Sequence, residues 1–69
     1  SPIVMDELFD RIIEVARTGL PVLMVEQNAR QALEIADKGY VLVTGANAHT
    51  GTGQDLLADP DVRQSFLGG

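Results

Sequence analysis

Between Ile3 and Ala16 the apolar residues recur at helical spacing. Ile3, Val4, Leu8, Ile12, Val15 and Ala16 form a stripe that Phe9 and Ile13 widen, and Asp6, Glu7, Asp10, Arg11, Glu14 and Arg17 fill the opposite face. Ser1-Pro2 reads as an N-cap followed by proline at the first helical position, and Gly19 as the C-terminal cap. Leu20 to Val25 does not alternate. An unbroken, β-branched apolar run of that length predicts a strand buried on both faces, as in a parallel sheet, with Pro21 confined to its start. Asn28-Ala29-Arg30-Gln31 has the form of a capping box and opens a second helix, with Ala29, Ala32, Leu33 and Ala36 as its stripe, Lys38 in its last turn and Gly39 as its cap. Tyr40-Val41-Leu42-Val43 predicts a second buried strand, which makes a right-handed βαβ unit.

The remainder is more broken. Thr44 to Gly53 is rich in Gly, Asn and Thr and predicts a turn with a short edge strand near Ala48–Thr50. A short helix is expected over Gln54–Ala58, and Asp59-Pro60-Asp61 opens a last helix running to Leu67, with Gly68-Gly69 behind it. The fold class is therefore α/β, with helices layered on a mostly parallel sheet.

Composition narrows the function. The 69 residues carry 10 acids, 5 bases, one histidine and no cysteine, a formal charge of −5. No basic stripe is present to neutralise phosphates, which argues against a nucleic-acid binder. Disulfides and thiolate metal sites are excluded. The apolar runs are too short to span a bilayer, so a soluble, intracellular chain of one domain at most is expected. Two helices cannot cover two fully buried strands, so the pattern resembles a piece of a larger sheet, or a chain that completes itself by self-association. Ser1 in place of an initiator methionine agrees with an excerpt.

Chemistry in a parallel sheet gathers at the carboxyl ends of its strands, here Glu26-Gln27-Asn28. Asn28 reads first as the helix cap, and Glu26 as a solvated or hydrogen-bonded edge carboxylate without a partner acid or histidine. Gln27 is either a plain loop residue or an amide that senses a ligand. Gly51-Thr52-Gly53 is not a P-loop, because Gln54 follows where a lysine would be required. His49 reads as a surface turn residue, Thr50 beside it points to the opposite face, and Ser1 and Ser65 have no base beside them. No catalytic constellation is present, and an independent enzyme using Glu26 with His49 is the weakest reading.

The strings Val25-Glu26-Gln27-Asn28-Ala29-Arg30, Ala32-Leu33-Glu34-Ile35-Ala36-Asp37 and Gly39-Tyr40-Val41-Leu42 resemble the C-terminal portion of ATP-binding cassette (ABC) ATPases. The likeness is strongest to the subfamily serving branched-chain amino acid importers, with urea and amide importers near it. It continues through Gly51-Thr52-Gly53, Asp59-Pro60 and Phe66-Leu67-Gly68-Gly69, and Ser1-Pro2-Ile3-Val4 resembles the helix after that family's D-loop.

The resemblance implies that residues 1–69 are the C-terminal part of a nucleotide-binding domain of P-loop NTPase fold. Gln27 then stands at the switch position, where most relatives have a histidine facing the γ-phosphate. An amide can hydrogen-bond phosphate or orient water but cannot shuttle a proton. The Walker A, Q-loop, signature and Walker B segments are missing, and the catalytic glutamate is expected upstream of Ser1, so Glu26 is not that residue. The parent is expected to be an ATPase using ATP and magnesium. Its partners would be the rest of the domain, a second ATPase subunit and membrane permease subunits, at the inner face of the cell membrane. The chain alone is expected to hold no cofactor or metal and to hydrolyse nothing. Ala46-Asn47-Ala48-His49 departs from the family's β-branched pattern and predicts a weakened hairpin. The competing expectation is an autonomous small α/β assembly module that self-associates.

Overall fold

The computed structural model describes residues 2–69, in the order α1 (Pro2–Arg17), α2 (Ala29–Ile35), β1 (Lys38–Val43), β2 (Ala46–Thr52), α3 (Gly53–Ala58) and α4 (Pro60–Phe66). Ser1, read as the cap of α1, lies outside the described residues. The exit from α1 follows the sequence. The Thr18 and Gly19 amides donate to the carbonyls of Val15 (3.2 Å) and Ala16 (3.0 Å), and Gly19 takes the left-handed φ of 92° that lets the chain leave. Phe9 is the buried residue of α1, whereas Ile3, Val4 and Leu8 remain exposed.

The sheet differs from the expectation. It has two strands, β1 and β2, paired antiparallel, and the parallel βαβ unit is not formed among the described residues. Leu20–Val25 runs without regular structure, and Leu23 and Val25 are 93% and 96% exposed. The physical reason is a missing neighbour. A strand gains its ladder and its burial only beside another strand with a layer on each face. The local hairpin, by contrast, needs a loop of two residues. Thr44 (φ 50°) and Gly45 (φ 78°) both sit at positive φ, the requirement of a two-residue turn whose twist matches the strands. Val43 pairs with Ala46, Leu42 with Asn47, and Val41 with His49, so Ala48 is the extra residue of a bulge. The hairpin expected to be weak therefore forms, and β2 extends well beyond Ala48–Thr50.

α2 is shorter than its apolar stripe predicts. Ala36 is already extended (φ −81°, ψ 137°), which sends Lys38 and Gly39 into β1 instead of a last turn and cap. Gly39 matters there for its missing side chain: a Cβ would stand 2.9 Å from Leu33 Cδ2 and 2.8 Å from Leu56 Cδ1. Leu33, Leu56 and Val62 form the core, with Val41, Leu57 and Leu67 packed against it. One buried residue each from α2, α3 and α4 thus meets one side chain of β1. Gly53 begins α3 so close to the end of α2 that a Cβ would overlap the carbonyl oxygens of both Leu33 and Ala36.

Caps explain the two short C-terminal helices. The Thr52 hydroxyl accepts the Asp55 amide (3.0 Å), and Asp59 Oδ1 accepts the amides of Asp61 (2.8 Å) and Val62 (3.1 Å). Pro60 follows at the first helical position, as its sequence context predicts.

Candidate functional site

Glu26, Gln27 and Asn28 occupy the bend between the irregular Leu20–Val25 segment and α2. Glu26 Oε1 accepts the Asn28 amide (3.0 Å), so this carboxylate closes the bend. Asn28 Oδ1 accepts the Gln31 amide (3.3 Å), as the cap reading requires. The reciprocal half of the capping box differs: Gln31 Oε1 accepts from Asn28 Nδ2 (2.8 Å), because Glu26 has already taken the Asn28 backbone N–H. Gln27 stands between these two braced neighbours with its side chain exposed. A neutral amide held there can donate and accept at once, and has no proton to exchange near neutral pH.

The first turn of α2 is tied from two sides. Gln31 Nε2 donates to Asp6 Oδ1 of α1 (3.4 Å), and Arg30 Nη2 donates to the carbonyl of Leu67 after α4 (3.1 Å). Composition and spacing offered no sign of the second tie, because a contact across 37 residues leaves no periodicity.

The other singled-out residues sit in structural roles. His49 is largely buried on β2, where its Nε2 lies 3.1 Å from Asp61 Oδ2 of α4, so it braces the hairpin against that helix instead of lying free in a turn. Thr50 Oγ1 accepts from Asn47 Nδ2 (2.6 Å). Glu26 and His49 each have another partner, which leaves the Glu26–His49 enzyme reading without a pair. Gly51-Thr52-Gly53 joins β2 to α3 and serves as cap and close contact. Ser65 is exposed on α4. No group of three or more His, Asp or Glu able to hold a metal occurs among the described residues. No described helix is long and apolar enough to cross a membrane.

No family model matches the chain. Similarity to individual proteins is nonetheless continuous from end to end. The chain is 45% identical over 69 residues to the high-affinity branched-chain amino acid transport ATP-binding protein BraG of Pseudomonas aeruginosa, covering 100% of this chain and 30% of that protein. It is 45% identical over 69 residues to the probable branched-chain amino acid transport ATP-binding protein LivF of Archaeoglobus fulgidus, covering 99% and 29%. It is 34% identical over 68 residues to the lipopolysaccharide export system ATP-binding protein LptB of Acidithiobacillus ferridurans, covering 99% and 28%. The chain thus spans about a third of the length of the relatives it matches.

Proposed function

We propose that this chain, a segment of the ABC-transporter ATP-binding protein family by its end-to-end similarity, forms the C-terminal part of a nucleotide-binding domain in an importer of branched-chain amino acids. The observation carrying the reading is the 45% identity to two such ATP-binding proteins over the whole chain. In the whole protein, Leu20–Val25 enters a parallel sheet. The bare Leu23 and Val25 side chains support this, since a strand awaiting neighbours on both faces leaves just such residues in water.

Gln27 then stands at the end of that strand and faces the γ-phosphate. Its amide hydrogen-bonds a phosphate oxygen or orients the attacking water, and the braces from Glu26 and Asn28 fix its position. It lends no proton, so general-base catalysis falls to residues outside this chain. ATP and magnesium are held there too, because no lysine-bearing phosphate loop occurs within these 69 residues. The whole subunit hydrolyses ATP as a dimer and drives a permease from the cytoplasmic side.

Two measurements test the reading. Calorimetric titration of the 69-residue chain with magnesium-ATP is expected to show no binding, and micromolar affinity refutes the assignment of phosphate contacts elsewhere. In the whole ATP-binding subunit carrying this segment, Gln27→Ala is expected to lower kcat about tenfold or more. An unchanged kcat refutes the role of Gln27.

A further inference from the structure

Arg30 breaks a local rule. It lies in the first turn of α2, where the partial positive charge of the helix N-terminus disfavours a cation, and that turn contains no acid to offset it. Its guanidinium instead reaches across the fold to Leu67, the residue that closes α4, and donates Nη2–H to the Leu67 carbonyl at 3.1 Å. A cation is favourable at that end of a helix, because the last carbonyls lack partners and carry partial negative charge. Arg30 is thus misplaced on its own helix and well placed on another.

The acceptor is built to receive it. Leu67 packs against the Leu33–Leu56–Val62 core, and its amide donates to the Arg63 carbonyl (3.2 Å). Gly68 turns back at φ 79°, which brings the Gly69 amide to the same Arg63 carbonyl at 2.8 Å, while Arg63 Nη2 donates to the Gly69 carbonyl (3.3 Å). The Leu67 carbonyl is therefore held by a closed turn resting on buried side chains. Arg30 follows Gln27 by three residues, and Asn28 between them anchors the same turn.

We propose that Arg30 is a positioning residue that locks the Gln27 bend to the end of α4. This makes the geometry at residues 26–28 depend on the turn at residues 67–69. The consequence for ATP hydrolysis rests on the reading of Gln27 given above, whereas the positioning itself does not.

Hydrogen exchange in the whole ATP-binding subunit, without nucleotide, tests the positioning. Arg30→Ala is expected to speed exchange at the Asn28 and Gln31 amides, bonded to Glu26 Oε1 and Asn28 Oδ1, about fivefold, while the Leu56 and Val62 amides of the core stay unchanged. Arg30→Lys, which keeps the charge, restores at least half of the protection. Gly68→Ala reaches the same tie from its other end: the added Cβ meets nothing within 4 Å, so it acts through the strained φ alone. It is expected to reproduce the Arg30→Ala effect, with no further increase in the double variant. Unchanged exchange at Asn28 and Gln31, or a uniform rise across the protein, overturns the proposal. Steady-state kinetics separates the two claims. Local exchange that rises together with a lower kcat at unchanged KM for ATP supports both, and exchange that rises with kcat unchanged supports the tie and refutes its consequence for hydrolysis.

Discussion

Gly53→Ala is the most demanding test of how these helices meet. An ideal Cβ at Gly53 would overlap two backbone carbonyl oxygens, those of Leu33 and Ala36, and neither can rotate aside as a side-chain tip can. Restoring ordinary contact requires α2 and α3 to part by roughly 1 Å, which loosens Leu33 against Leu56 at the centre of the core. Overpacking of a well-filled core costs about 1–3 kcal/mol, and a clash between backbones belongs at the upper end. The reduced entropy of an unfolded alanine returns only about 0.4–1 kcal/mol. A net loss of about 2 kcal/mol is therefore expected, a large share of the roughly 3–5 kcal/mol that a core this small supplies. Gly51→Ala is the matched control. There a Cβ meets Asp55 Cβ at 3.6 Å, ordinary contact, and φ is not strained, so the change should lie within about 0.5 kcal/mol. Urea unfolding followed by circular dichroism measures both. If Gly53→Ala unfolds at the same midpoint as the parent and Gly51→Ala, the close approach of α2 and α3 is wrong.

Three smaller perturbations test the rest of the fold. Leu56→Ala, at a residue 3% exposed in the middle of the cluster, should cost about 2–5 kcal/mol in the same unfolding assay. Asp59→Ala removes the acceptor of two amide protons and should cost about 1 kcal/mol, read as earlier melting of α4 by hydrogen exchange at Val62 and Arg63. His49→Ala should cost less than about 1 kcal/mol from the lost contact with Asp61, since the Asp61 side chain is 74% exposed. A larger loss would show that the imidazole is chiefly packing.

The parts legible in the sequence are those whose causes are local. Asp59 and Pro60 mark the start of α4, and the stripe of α1 repeats over enough turns to be read directly. Gly39 has the look of a helix cap in sequence because its reason for being glycine is distant: Leu33 and Leu56 converge on it in space. The apolar run Leu20–Val25 predicts a buried strand that the structure does not form, because membership of a sheet depends on a neighbour that the pattern of one segment does not contain. β2 is longer than its sequence predicts for the opposite reason. Ala46-Asn47-Ala48-His49 has poor strand propensity, and pairing across the Thr44-Gly45 turn overrides it. At the candidate site, the bend and the Asn28 cap were legible, while the ties from Asp6 and Leu67 were not, since hydrogen bonds between remote side chains leave no periodic trace.

The bare flank of the Leu20–Val25 ribbon has a thermodynamic corollary. Leu23 and Val25 lie two apart, so in an extended chain they share one side, and water covers both almost completely. Sheltering that pair alone would release about 3–6 kcal/mol, as much as the entire core of a domain this size provides. A neighbouring strand or partner that covers the pair is therefore expected to raise the melting temperature of this polypeptide.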